Sequence, residues 1–254
     1  MSMHRIPFVV VLLLACLPAR AMVGDTETLA DFRTRPEVMI LGSGKTFCSG
    51  VAIAPNLVLT AAHCVMPGDT YRRVELDADG KPKFKDSVAV AQHPRFDIKS
   101  LFAHRATADV GLIKLKEPMA AMPVPLAPPR SRIVPGERFV VHGYGRSVRD
   151  DRNSAATLRA ASLIATGQPG TLQLRLVDPL GDNKKPGLGA CTGDSGAPAY
   201  QERDGRLEVI GVVSWSSGPN NTDGCGGLTG ITPLELYRDW IVETARKLGI
   251  ALPN

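Results

Sequence analysis

The stretch "GACTGDSGAP", Gly189–Pro198, places a single serine hydroxyl, Ser195, between an aspartate and three small residues. Serine and glycine are ordinary turn residues, so the stretch by itself is typical of a tight loop. The alternative is that Ser195 is a nucleophile. The choice depends on whether the rest of the chain supplies the partners that a serine nucleophile requires.

A serine hydroxyl is a poor nucleophile at neutral pH and needs a base within hydrogen-bond reach, itself oriented by a third group. The candidate base is His63 in "LTAAHCV", and the candidate orienting acid is Asp109 in "TADVGLIKL". Taken singly, a histidine beside a cysteine is often structural and an aspartate before a strand is often a cap. Together they give the chain order His, Asp, Ser, which excludes the serine-first order of the α/β-hydrolases, and Ala197 replaces the second glycine of the G-x-S-x-G elbow.

Short apolar or β-branched runs bounded by turn residues recur along the chain: "SGVAIAP", "LVLTAAH", "DVGLIKLK", "RFVVHGYG" and "LEVIGVVSW". Such runs with little helix between them predict an all-β sandwich or a pair of barrels. "DADGK" predicts a hairpin turn with Asp79 and Gly80 at its tip. A helix is predicted at the C-terminus, where apolar residues recur at i, i+3 and i+4: Leu234, Tyr237, Ile241, Ala245 and Leu248.

The composition excludes several classes of protein. The chain has 254 residues, of which 44% are hydrophobic and 22% charged, and a net charge of +5. Its basic residues are scattered without interleaved aromatics, so no nucleic-acid partner is expected. The segment from Glu75 to Asp86 loosely resembles a calcium loop, but Pro82 and the lysines fit that pattern poorly and a hairpin is the better interpretation.

The N-terminus predicts a secretory signal peptide at 1–21. It has a basic start, a 12-residue apolar run from Ile6 to Leu17, and an A-x-A site at Ala19–Ala21. The run is shorter than the ~20 residues of a membrane span. A lipoprotein signal cut before Cys16 is the alternative. We expect a secreted or periplasmic monomer with no membrane contact once the leader is removed.

The proline-rich segment 116–137 divides the mature chain into predicted domains at 22–125 and 126–254. Four cysteines remain beyond the leader, at positions 48, 64, 191 and 225. An even number in an exported chain favours two disulfides, for which three pairings exist. No C-x-x-C spacing is present, so neither a metal nor another cofactor is expected.

Three segments, "TAAHC", "DVGLIKL" and "GDSGAP", resemble the signature segments of the chymotrypsin/trypsin family of serine endopeptidases. The similarity runs from about Met22 to the C-terminal helix. It implies an all-β fold of two packed six-stranded antiparallel β-barrels with a C-terminal α-helix. It also implies hydrolysis of polypeptide substrates through an acyl-enzyme, with His63, Asp109 and Ser195 as the catalytic triad.

The resemblance also implies roles for further residues. The oxyanion would be bound by the backbone of Gly193 and Ser195, and disulfides would join Cys48 to Cys64 and Cys191 to Cys225. The implied substrate-binding residues are Gly189, Ser214, Trp215, Ser216 and Gly227.

Two positions depart from the trypsin-like pattern. Gly189 stands where those members carry an aspartate at the base of the specificity pocket, and Ser216 stands where a glycine is usual. A buried cation without a carboxylate partner is very costly. We therefore expect cleavage after uncharged, small to medium apolar P1 residues.

The segment "MVGD", Met22–Asp25, resembles the N-terminus that activates family members by folding inward onto the aspartate before the nucleophile. That aspartate corresponds to Asp194. Because Met22 directly follows the predicted signal site, signal peptidase is expected to generate the active N-terminus. A non-catalytic binding module on the same fold is the alternative function, although the intact triad and Gly193 count against it.

Overall fold

The computed structural model describes residues 22–29, 34–77, 79, 81–129, 133–166 and 172–252, so the predicted leader lies outside the described residues. The strands in those ranges are β1 Glu27–Thr28, β2 Glu37–Gly42, β3 Phe47–Ala54, β4 Leu57–Thr60, β5 Tyr71–Leu76, β6 Pro82–Gln92, β7 Gly111–Leu115, β8 Arg138–Gly143, β9 Arg159–Ala165, β10 Leu174–Val177, β11 Pro198–Arg203, β12 Arg206–Ser216 and β13 Thr229–Pro233. The α-helices in those ranges are α1 Ile98–Phe102 and α2 Arg238–Lys247.

The first barrel closes in the order β2-β3-β4-β7-β6-β5, with antiparallel neighbours throughout. The predicted hairpin connects β5 and β6. Its Asp77 carboxylate accepts N–H groups from Asp79 at 3.0 Å and Lys81 at 2.9 Å. This acid therefore holds the turn through main-chain hydrogen bonds, as aspartates in turns commonly do.

The second barrel consists of β8, β9, β10, β13, β12 and β11, and the pairing of β8 with β9 closes it. Strand β1 pairs with the first residues of β9, and β10 pairs with its last residues. The predicted architecture of two packed six-stranded antiparallel barrels is thus confirmed. Val124 donates to Ala52 of the first barrel and Ala127 to Val209 of the second. The predicted domain boundary falls between these contacts and stays a prediction.

The C-terminal helix is shorter than its apolar pattern predicts. Leu234–Tyr237 form a 3-10 turn, because the backbone of Tyr237 (φ −124°, ψ 4°) departs from α-helical geometry. Helix α2 then buries Ile241 and Ala245 in one apolar cluster with Val51 of the first barrel and Val212 of the second. The helix therefore packs where the cores of the two barrels meet. No helix within the described ranges is long and apolar enough to cross a membrane.

Candidate active site

His63 lies on a 3-10 turn, Ala62–Cys64, that directly follows strand β4. The flanking Ala62 and Cys64 are buried, which leaves the imidazole between them with 18% of its side-chain surface exposed. The disulfide between Cys48 and Cys64 ties the turn to strand β3. The histidine is thus held at the mouth of the first barrel and still reaches solvent.

Asp109, in the loop before β7, is completely buried. Its Oδ1 accepts the main-chain N–H of His63 at 3.0 Å, and its Oδ2 lies 2.8 Å from His63 Nδ1. Ser214 donates its hydroxyl to the same Oδ2 at 2.6 Å. Since an ionised carboxylate only accepts hydrogen bonds, this contact would place the hydrogen of a neutral His63 on Nδ1 and leave Nε2 as an acceptor.

Ser195 lies on a tight loop, residues 191–197, here termed the nucleophile loop. Asp194 N donates to Cys191 O at 3.0 Å, and Ala197 N donates to Asp194 O at 2.8 Å. Ser195 is half-buried and lines a cleft of about 380 Å³. The cleft is lined by Thr46, Phe47, Cys48, His63, Cys191, Thr192, Gly193, Ser195, Val213, Trp215 and Ser216. The structure therefore brings His63 and Ser195 to one cleft from opposite barrels.

Gly193 occupies a backbone conformation that requires glycine. Its φ is +99°, and an added Cβ would lie 2.8 Å from the Phe47 ring. A residue with a side chain would be strained there on both counts. At Gly193 the main chain itself therefore lines the cleft, with no side chain in front of it.

Asp194, within the nucleophile loop, is fully buried. Its Oδ1 accepts the Gly145 N–H and its Oδ2 the Cys191 N–H, each at 2.8 Å. Burial raises the pKa of this carboxyl to about 7, although the two N–H donors oppose the shift. A carboxylate at this site would be strongly stabilised by a cation placed beside it.

The segment that begins at Met22 is inserted into the second barrel. Met22 is fully buried in the apolar cluster that contains Ala190 and Ala197, which lie on either side of Ser195 in the chain. Val23 forms an antiparallel bridge with Gly189, whose N–H donates to Val23 O at 3.3 Å. The predicted activation segment and the predicted pocket base are therefore in direct contact.

The predicted pocket base, Gly189, lies among other glycines. A Cβ added to Gly189 would lie 3.2 Å from the Gly226 Cα and 3.5 Å from the Gly227 carbonyl oxygen. The Asp178 carboxylate accepts the N–H of Leu188 at 2.8 Å. It is therefore held by the main chain next to Gly189.

Ser216, which the sequence predicts to form a pocket wall, lines the cleft. The Ser216 hydroxyl donates to the Gly224 carbonyl at 3.3 Å. Trp215 lines the same cleft and is 8% exposed. The His104 ring stacks on it, with ring centroids 4.4 Å apart and planes within 9°. His104 covers the strand beside the cleft, a role that its isolated place in the sequence did not predict.

The four cysteines form the two disulfides implied by the resemblance, Cys48–Cys64 and Cys191–Cys225. Cys48, His63 and Cys64 are close enough together to suggest a metal site. Both sulfurs are consumed by one disulfide, and metal ligation by cysteine requires the thiolate. We therefore assign no metal to these three residues, and the disulfide instead holds the turn that carries His63.

The chain is similar in sequence to known proteins. The family model described as Trypsin matches residues 30–241. Trypsin-3 of Salmo salar is 31% identical over 216 residues, covering 80% of this chain and 85% of its own length. Kallikrein-8 of Homo sapiens is 31% identical over 217 residues (80% and 78% covered), and the anionic trypsin of Canis lupus familiaris is 28% identical over 221 (82% and 84%).

Proposed function

Because the chain belongs to the trypsin family of serine endopeptidases, we propose that it cleaves polypeptides through an acyl-enzyme formed on Ser195. The proposal rests on one observation: His63 Nδ1 lies 2.8 Å from Asp109 Oδ2, and His63 lines the same cleft as Ser195. Such an arrangement turns a weak serine hydroxyl into a nucleophile, because a base oriented by a buried acid accepts its proton.

In the proposed mechanism, Ser195 Oγ attacks the scissile carbonyl and its proton passes to His63 Nε2. The imidazolium then gives that proton to the leaving amine, and water repeats the sequence to release the acyl group. Asp109 keeps the hydrogen on Nδ1 and stabilises the imidazolium. The Ser214 hydroxyl donates to Asp109 Oδ2 at 2.6 Å and so helps to hold the Asp109 carboxylate in place.

The developing oxyanion would be bound by the N–H groups of Gly193 and Ser195. Donors preorganised in this way are among the largest contributors to catalysis of acyl transfer. The positive φ of Gly193 and its close approach to Phe47 support the assignment, since both hold the main chain at the cleft.

Substrate selection would follow from Gly189, Ser216 and Gly227. The pocket base offers no carboxylate to a P1 lysine or arginine, and the Ser216 side chain narrows one wall. We propose cleavage after uncharged, small to medium apolar residues. Discrimination between them is moderate, since one methylene is worth about 1–3 kcal/mol in such a pocket.

Activation would require a new N-terminus at Met22. The burial of Met22 beside Ala190 and Ala197, and the pairing of Val23 with Gly189, support this. The freed α-ammonium would pair with the buried Asp194 carboxylate and hold the nucleophile loop. Signal peptidase would generate this end on export, and the chain would be secreted or periplasmic. The two disulfides support such a compartment.

Hydrolysis of a peptide library by the purified chain beginning at Met22 tests the proposal. Cleavage should occur with the wild-type chain and with Ser162→Ala, which loses only a hydroxyl that accepts from Arg138 on the outside of the second barrel. It should be lost in Ser195→Ala and His63→Ala. A folded wild-type chain that cleaves nothing would favour the non-catalytic binding module.

A further inference from the structure

The first barrel touches the nucleophile loop directly through Ser49 on strand β3. This serine is 1% exposed. Its hydroxyl donates to the Gly193 carbonyl at 2.9 Å and accepts the Tyr144 N–H at 3.0 Å. Its own N–H donates to the Ser195 carbonyl at 2.8 Å. One residue of the first barrel thus fixes two carbonyls of the nucleophile loop.

The Ser49 hydroxyl has little freedom to choose other partners. A hydroxyl has one hydrogen to donate, and here the Gly193 carbonyl takes it. The main chain of Ser49 is also fixed, because Thr60 donates its hydroxyl to the Ser49 carbonyl at 2.7 Å. Losing the hydroxyl would leave the buried Tyr144 N–H without this acceptor, and buried polar groups left without a partner are costly.

Tyr144 is itself held against the first barrel. Its hydroxyl donates to the Glu37 carbonyl oxygen at 3.3 Å. The Glu37 carboxylate Oε1 in turn lies 2.6 Å from His142 Nδ1 and accepts the Tyr200 hydroxyl at 2.8 Å. Glu37 belongs to the first barrel, whereas His142 and Tyr200 belong to the second. We term these four residues the seam network.

The seam network is buried. Burial opposes ionisation of Glu37, but the hydrogen bond and electrostatic interaction with His142, with the Tyr200 hydroxyl, outweigh it and lower the pKa of Glu37. Buried polar pairs seldom add net stability over an apolar replacement, because desolvation offsets their attraction. The contact between Glu37 and His142 instead defines the position of residues 142–145 relative to the first barrel.

The same residues enclose Asp194. Gly145 donates its N–H to Asp194 Oδ1, and a side-chain carbon on Gly143 or Gly145 would collide with the Asp194 carboxylate. A small displacement of this segment would therefore move Asp194. Because Asp194 adjoins Gly193, the seam network and the Ser49 hydroxyl act on one short piece of main chain from two sides.

We propose that Ser49 is a positioning residue whose hydroxyl, braced by Tyr144 of the seam network, fixes the Gly193 carbonyl and so limits movement of the Gly193 main chain, whose N–H would face the developing oxyanion. The proposal rests on the proposed function, since it concerns the same reaction. Ser49 acts through Gly193 and does not itself contact the substrate. It belongs to the first barrel, so the geometry of the oxyanion site depends on how the barrels pack.

Steady-state kinetics of Ser49→Ala test this role. We expect kcat to fall about tenfold with KM unchanged, less than the 10²–10³ lost with an oxyanion donor, because the Gly193 N–H remains but is held less well. The rate of labelling by a fluorophosphonate should fall by the same factor, since its phosphoryl oxygen would occupy the same site. Tyr144→Phe, which removes only the hydroxyl brace, should lower kcat about two- to fivefold. Ser162→Ala is the matched control and should behave as wild type.

A Ser49→Ala enzyme with kcat within twofold of wild type would overturn the proposal. A parallel change of kcat and KM, accompanied by a large loss of melting temperature, would also overturn it and assign Ser49 a purely structural role. If Ser49→Ala does not fold, Tyr144→Phe decides, and an unchanged kcat counts against the proposal. A wild-type chain that is inactive toward every peptide and the probe would instead contradict the proposed function.

Discussion

The Nδ1 of His63 lies 2.8 Å from Oδ2 of Asp109, although the two residues are 46 positions apart in the chain. The acid is fully buried and the histidine partly exposed. The relationship thus places the carboxyl group inside the protein and the imidazole at its surface, which is the arrangement that the proposed catalysis by Ser195 requires.

Asp109→Asn should lower kcat by about 10⁴ while the fold is kept. The amide can donate a hydrogen bond to Nδ1, which favours the tautomer that has no lone pair on Nε2. Peptide hydrolysis at saturating substrate measures the effect. Ser214→Ala is the companion variant, and a loss as large as that of Asp109→Asn would show that the hydroxyl rather than the carboxylate controls the histidine.

The chain that begins at Met22 should lose activity reversibly as the pH rises above about 8. A free α-amino group has a pKa of about 7.7–8.0, and pairing with Asp194 raises it. The stabilisation is therefore complete below the unfolded value and is lost as the pH rises through the folded one. N-terminal sequencing identifies the active species. Active enzyme that begins at lipidated Cys16, or anywhere other than Met22, would refute this activation route.

A chain that retains Arg20 and Ala21 ahead of Met22 should become less stable between about pH 4 and pH 7. Without the ammonium partner, burial raises the pKa of Asp194 from 3.8 to about 7. The folded state then holds a proton that the unfolded state releases, so stability falls with rising pH in that window. Thermal melts in the Ser195→Ala background measure it. The same chain with Asp194→Asn should lack this component, and identical pH profiles would contradict the assignment.

Peptides that differ only at P1 should be cleaved best after small or medium apolar residues. Ser216→Gly should raise kcat/KM for a P1 phenylalanine relative to alanine by roughly tenfold, because it widens the pocket wall. A strong preference of the wild-type chain for arginine or lysine would contradict the account. It would mean that a carboxylate such as that of Asp178 reaches the P1 side chain.

Replacing Cys48 and Cys64 by alanine should cost about 3 kcal/mol of unfolding free energy, since the disulfide closes a loop with a sequence separation of 16. Denaturant titration in the Ser195→Ala background measures the loss without interference from autolysis. The same double substitution in active enzyme should also lower kcat, because the bond ties the His63 turn to β3. Unchanged kcat would show that the turn holds its shape without the bond.

Local patterns predicted much of the fold. The apolar runs that overlap β3, β4, β7, β8 and β12 are buried on at least one face and stand out in the sequence. Strand β6, Pro82–Gln92, has no fully buried residue and a mixed, charged pattern. Its pairing with β5 follows from the predicted hairpin, whereas its pairing with β7 comes from barrel closure, which no local pattern reveals.

Sequence patterns likewise predicted only some residues of the candidate site. His63, Asp109 and Ser195 stand in recognisable segments, whereas Ser49 and Glu37 look like ordinary strand residues. Ser49 meets Gly193 across 144 positions, and Glu37 meets His142 across 105. Both contacts exist only because two barrels pack against each other, so their significance depends on tertiary structure.

The most direct measurement of the central claim is labelling by a fluorophosphonate, followed by mass spectrometry of the labelled peptide. The account predicts one equivalent of label on Ser195 in the chain that begins at Met22, and none in His63→Ala. A correctly processed, folded chain that remains unlabelled, or one labelled at another residue, would contradict the claim that Ser195 is the nucleophile.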